Sequence, residues 1–288
     1  MVRSSLLHRY LLVASSLAAV GLTLSPTIAQ SQRLALPRAE RWLEVDYLQG
    51  NVTLVEAQSQ RPAKLGDRLQ QIGSGLATAA LSASTLRFDS DIGVIQVAEN
   101  SRLQVSNMAV LENGARVTAL RIDQGQARLQ VRRFNNPNSS LEVDTPAGTA
   151  AVRGTTFGVA VNPSGKTSVG TTAGVVDAQA QGVSVTINPG FASIIVPGEP
   201  PSSPIPLDRA LNLQVRSSTR DGGRIRIVGQ INPANQLLIN SRPVNTRADG
   251  RFSILVPTQP RRRLALLTVQ NPLGAQRDYQ LVLQRDGR

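Results

Sequence analysis

Acid–base chemistry in this chain has few groups to rest on. His8 is the single histidine and cysteine is absent, so beyond the amino-terminal leader described below there is no imidazole and no thiol. That excludes Ser-His-Asp and Cys-His nucleophile systems, and zinc sites built on those ligands. Carboxylates and two lysines, Lys64 and Lys166, are the conventional acids and bases that remain. A two-carboxylate or Ser-Lys hydrolase passes this filter, yet no acidic pair stands out by spacing. The chain therefore reads as non-enzymatic, with no catalytic residue, cofactor or metal ligand to nominate.

Guanidinium is the plentiful functional group. The formal net charge is +12, and removal of Arg3 and Arg9 with the leader leaves +10. Residues 30–208 are neutral overall, whereas residues 209–288 hold 14 Arg against 4 Asp and account for the whole excess. In the run Arg224-Ile225-Arg226-Ile227, alternation puts Arg224 and Arg226 on one solvent face. Arg261, Arg262 and Arg263 cluster before the next apolar run. These five arginines form a candidate patch for an anionic partner, because guanidinium groups bind phosphate and carboxylate bidentately. Nucleic acid is a poor partner, since aromatic residues make up only 3% of the chain and cannot interleave stacking platforms with the charge.

The elements that must position these groups read as strands. Arg3 and Arg9 precede an apolar run over 11–24 and then small residues up to Ala29, the layout of a secretory signal peptide spanning 1–29. The run falls short of the roughly 20 residues a bilayer span needs. Residues 30–44 lead into a series of short alternating segments over 45–196, typified by Leu129 and Val131 set against Arg128, Gln130 and Arg132. RVTALRID at 116–123 and QARLQVRRF at 126–134 count as separate strands. Residues 70–84 have room for a helix, but Gly73 and Gly75 weaken it. Glycine opens three of the strands, at Gly50, Gly125 and Gly174. The prolines of 197–208 predict an extended linker. Residues 209–288, with an Asp249-Gly250 turn between short strands, predict an immunoglobulin-like β-sandwich. The expected fold class is thus all-β throughout, with short strands in stacked or facing sheets ahead of the sandwich.

One segment, TPAGTAAVRGTTFGV at 145–159, is rich in small residues around a lone arginine. Pro146 and Gly148 predict a bend after the strand that ends at Asp144, and Gly154 a second one. Arg153 is expected to hold the corner by hydrogen-bonding carbonyls or the Asp144 carboxylate, with direct contact to a ligand as the alternative. At these residues the sequence resembles the FecR family, an extracytoplasmic bacterial domain. Its pattern TP-x-G-x-x-AVRGT-x-F-x-V is matched by Thr145, Pro146, Gly148, Ala151, Val152, Arg153, Gly154, Thr155, Phe157 and Val159. The resemblance covers roughly 45–196 and implies a non-enzymatic β domain used for recognition. Iron-uptake regulators of the family place an anti-sigma segment and a membrane span before the domain, where this sequence has a signal peptide. Transmission to a sigma factor is therefore not expected.

The expectation is a periplasmic or secreted binding or sensory adaptor that recognises a protein or envelope ligand. Its basic module would sit near an anionic surface, in peripheral association with membrane or cell wall. The alternative is a structural envelope protein docked on peptidoglycan or acidic polysaccharide. The sequence leaves oligomeric state open.

Overall fold

Alternation is realised strand by strand: Ser84, Leu86 and Phe88 are buried, while Ala83, Thr85 and Arg87 between them stay partly exposed. The computed structural model describes residues 41–56, 58–89, 92–257 and 264–282. The expected signal peptide, residues 30–40 of the lead-in, and Arg261, Arg262 and Arg263 lie outside the described residues.

The amino-terminal part is two facing sheets between which the chain shuttles. β1 (Leu43–Gln49) lies in the first sheet, β2 (Val52–Val55) and β3 (Gln60–Pro62) in the second. β4 (Arg68–Leu69) returns to the first, β5 (Gly75–Thr78) to the second, and β6 (Ala83–Phe88) and β7 (Gly93–Val97) to the first. β8 (Arg102–Val110) lies in the second, and β9 (Arg116–Val131) begins there and ends in the first. Hairpins then alternate. β10 (Ser140–Asp144) and β11 (Thr149–Val152) join the second sheet, β12 (Thr156–Val161) and β13 (Thr167–Ala173) the first. β14 (Val176–Ala180) and β15 (Val183–Ile187) return to the second, and β16 (Phe191–Ile195) and β17 (Ile205–Pro206) to the first.

The first sheet therefore runs β4-β1-β6-β7-β9-β12-β13-β16-β17 and the second β3-β2-β5-β8-β9-β10-β11-β14-β15. Every pair is antiparallel except β9 with β10. Because β9 belongs to both, the 17 strands form one hydrogen-bonded set. The two runs read as separate strands in the sequence are thus fused into 16 continuous residues. Gly125 makes this possible: its φ is +84°, and a Cβ there would overlap Ser101. Gly50 and Gly174, also at positive φ, stand where β1 gives way to β2 and β13 to β14. The glycine openers mark changes of sheet. The possible helix at 70–84 is instead β5 and the start of β6, and the described residues are all-β.

Between the sheets lies one apolar core, with Leu86, Leu120, Leu129, Phe157 and Val159 fully buried. At its edge sits a charged group. Arg41 is 7% exposed; its Nε donates to Asp89 Oδ2 at 2.7 Å, and its Nη atoms donate to the carbonyls of Ala109 and Val117 and to Thr118 Oγ1. Desolvation lowers the Arg41 pKa, and the bond to Asp89 works against that shift.

Residues 197–208 follow the edge of the first sheet, where Ser202 N donates to Ile194 O at 2.8 Å and Leu207 N to Gly190 O at 2.8 Å. A sandwich follows. β18 (Gln214–Asp221), β19 (Arg224–Gln230) and β22 (Arg251–Pro257) form one sheet in the order β18-β19-β22. The other, β21-β20-β23-β24, contains β20 (Gln236–Ile239), β21 (Arg242–Val244), β23 (Leu264–Gln270) and β24 (Gln276–Val282). Ile227, Leu237, Phe252, Leu267 and Val269 fill the space between them.

Asp89→Asn keeps the shape of the side chain and tolerates the positive φ of this residue, but leaves the buried Arg41 charge uncompensated. Urea unfolding followed by circular dichroism should show a loss of about 3 kcal/mol. An unchanged midpoint would mean that the pair does not hold the core edge.

Candidate functional site

β10 and β11 are joined by a turn from Thr145 to Gly148. Thr145 N and Oγ1 both donate to Gly148 O, at 2.9 and 2.7 Å, while Oγ1 accepts from Gly148 N at 3.2 Å. Thr167 Oγ1, on β13 of the opposite sheet, donates to the same hydroxyl at 2.9 Å. Beyond the buried Val152, the segment Arg153-Gly154-Thr155 carries the chain across to β12. The crossing is pinned by its backbone: Phe134 N donates to Arg153 O at 3.1 Å and Val131 N to Thr155 O at 2.9 Å. Phe157 and Val159 then enter the core.

A groove lies on the outer face of the first sheet. Tyr47, Thr85, Gln96, Arg128, Gly158 and Gly170 stand directly opposite one another across β1, β6, β7, β9, β12 and β13. Residues in such a row share a face. At Gly158 the turn between β23 and β24 comes down onto the sheet, where a Cβ would overlap the Pro272 carbonyl. Asn271 shapes that turn, its Oδ1 accepting from Leu273 N and Ala275 N at 3.1 Å each. Between the turn and the row the groove has a volume of about 700 Å³, within the range of small-molecule sites. Tyr47, Thr85, Gln96, Gln126 and Arg128 line its floor, and Arg209, Asn271 and Leu273 its wall.

Two atoms in this floor are buried without a partner, Gln126 Oε1 and Arg128 Nε. Gln126 is 2% exposed and its amide is oriented by Nε2 donating to Asn271 O at 2.8 Å, so Oε1 is the free acceptor. Arg209 makes no side-chain hydrogen bond or ion pair with another described residue, and no carboxylate is among the described residues lining the groove. A buried unmet donor or acceptor costs about 1–3 kcal/mol, and a ligand with the complementary groups would recover it. The arrangement suits binding of a polar, negatively charged molecule; no general acid and base pair is among the described residues lining it.

Residues 74–177, which include the crossing, β9 and most of the groove floor, match the family model described as FecR protein. That stretch is similar to FecR domains. Among solved structures it is similar to two crystal structures of a candidate anti-sigma factor from Parabacteroides distasonis ATCC 8503, at 15% and 16% identity and a TM-score of 0.32 each. Each match covers 38% of this chain and 51% of the other, so the chain spans about half the length of those proteins. A polysaccharide lyase aligns over 89% of this chain and 42% of its own, at 8% identity and a TM-score of 0.21. No curated protein matches in sequence.

The FecR motif residues come together as the crossing between sheets, with one departure. Arg153 is exposed, and its side chain makes no hydrogen bond with the described residues. Asp144, its expected partner, accepts instead from Thr149 Oγ1 at 2.7 Å, and backbone bonds already hold the corner. Of the candidate anionic-partner patch, Arg224 and Arg226 do share the exposed face of β19, but Arg226 Nη2 is 2.8 Å from Asp221 Oδ2. Neither lines the groove. Gln126, Arg128, Arg209 and Tyr47 were not nominated from the sequence. The available signal was Gly158 and Gly170, glycines inside strands, which indicate a second backbone close by.

Lys166, between β12 and β13, ties the domain to the sandwich. It is 3% exposed, and its Nζ donates to Thr246 Oγ1 at 2.7 Å, Pro233 O at 2.9 Å and Arg247 O at 3.2 Å. Desolvation lowers its pKa from 10.5 to about 8, partly opposed by Asp249. Between those values the unfolded chain binds the extra proton, so the contribution of Lys166 to stability rises with pH. Relative to Lys166→Met, the wild type should gain up to roughly 3 kcal/mol between pH 7.5 and 10.5 in parallel urea titrations; a constant difference would show that the amine titrates normally. Arg153→Ala should change stability by less than about 0.5 kcal/mol, as for other exposed side chains without partners, and a drop of several degrees in melting temperature would restore the structural role expected from the sequence.

Proposed function

We propose that the chain is a non-enzymatic recognition adaptor of the bacterial cell envelope, exported by its amino-terminal leader, which takes its ligand in the groove between the FecR domain and a carboxy-terminal sandwich of the immunoglobulin-like kind. The observation that carries this reading is the groove itself. Both parts build it, a strand-interior glycine is given over to forming it, and two buried polar groups in its floor are unmet. The match of residues 74–177 to the FecR family model supports recognition. Exposed Arg224 and Arg226 favour a second role for the sandwich, contact with an anionic surface.

Site-specific photo-crosslinking in envelope preparations of the producing cells tests this. The crosslinker is placed at Gln96 in the groove, at Arg224 on the sandwich face, and at Thr186 on the outlying strand β15. A discrete adduct at position 96 that is absent at 186 is the expected result. Adducts confined to position 224 and containing only wall polymer would replace this reading with a structural, anchored protein.

A further inference from the structure

We propose that the groove binds an acidic saccharide, a sugar unit carrying an anionic group beside free hydroxyls. The inference rests on the reading of the groove as the ligand site and adds the chemistry of the ligand. Gln126 and Arg128 are two residues apart on β9, so they share the outward face at a separation of about 7 Å. Their unmet atoms are of opposite kind, an acceptor at Gln126 Oε1 and a donor at Arg128 Nε. Sulfate satisfies the second and places its own lone pairs against the first. A neutral sugar satisfies the first and leaves the guanidinium without a counter-ion. One molecule that offers an O–H and an oxyanion on the same ring satisfies both.

Charge and shape agree. Arg128 and Arg209 bring two guanidinium groups to the groove, and neither is neutralised by a described carboxylate. The nearest acid in sequence, Asp208, is already engaged: its Oδ2 accepts from Asn235 Nδ2 at 2.7 Å, and its Oδ1 accepts from Ala210 N and Leu211 N. Tyr47 is 50% exposed in the same cross-strand row as Arg128. Its ring offers an apolar face for the C–H side of a sugar, and Thr85 and Gln96, between it and Arg128 in the row, supply hydroxyl and amide partners.

Isothermal titration calorimetry of the full chain with oligouronates, sulfated oligosaccharides and phosphorylated oligosaccharides tests the proposal and identifies the acid. The comparison probes are the neutral parent oligosaccharides, inorganic sulfate and inorganic phosphate. At least one acidic series should bind saturably and at least 10-fold more tightly than its neutral parent and than the free anion. Arg128→Gln and Arg209→Ala should each weaken it 10-fold or more, and Arg102→Gln, at an exposed arginine of β8 outside the groove, should leave it unchanged. Equal binding of the free anion, or equal loss in Arg102→Gln, would overturn the proposal in favour of a diffuse basic surface. Failure of every acidic oligosaccharide while position 96 still crosslinks to a discrete partner would overturn the saccharide and leave the groove as a recognition site for something else.

Discussion

The structure depends on one strand being allowed to belong to two sheets. β9 pairs with β8 and β10 over its first half and with β7 and β12 over its second. At the changeover the backbone must turn without losing its hydrogen bonds, since unmet amides in a buried strand are costly. Gly125 supplies the conformation, and Ser101 fills the space where a side chain would be. Its hydroxyl accepts from Gln126 N at 2.8 Å and donates to Gln126 O at 3.1 Å, so the turn is satisfied from the side. A Gln236 Nε2 from the sandwich reaches the Gly125 carbonyl at 3.4 Å. The same few residues therefore fix the relation of the two sheets and the seat of the carboxy-terminal part.

That seat is polar. Lys166, Gln126, Gln236, Asn100 and Asn162 each send a side-chain N–H across to an acceptor on the other side of the junction, with Asn100 Nδ2 reaching Ser241 O at 2.7 Å and Asn162 Nδ2 reaching Thr246 O at 3.3 Å. A small apolar cluster of Ala192, Ile194 and Ala234 accompanies them. Apolar contact alone would tolerate sliding. Hydrogen bonds with buried partners do not, because each lost bond leaves a desolvated group unmet. The junction thus holds the sandwich in one register over the sheet, which is what a groove with defined walls requires.

Much of the architecture was legible in the sequence because it is local. Alternation revealed the strands, and the repeated glycine openers announced places where the chain does something other than continue. What they announced, a change of sheet, depends on which strands pair, and pairing is not written at period two. The fusion of 116–123 with 126–134 went unread for that reason: a glycine that usually ends a strand here redirects one. The FecR motif was legible as a folding corner, but Arg153 was overvalued because its neighbours' backbone bonds already close the turn. The groove was the least legible feature. Arg128 could be placed on the outward face, whereas the wall beside it depends on Pro272 meeting Gly158, a contact between distant parts of the chain.

The shared strand also sets an order of events for the chain as it acquires structure. The second half of β9 lies between β7 and β12, so the middle of the first sheet stays open until residues well beyond β9 have been added. β10 pairs parallel to β9, which rules out a tight hairpin and requires the intervening residues to loop back. Contacts of this kind, between residues far apart in sequence, make folding slow, on the millisecond-to-second scale rather than microseconds. Pro272 can settle on Gly158 only once β12 is in place, so the groove exists only in a molecule whose two parts have both folded.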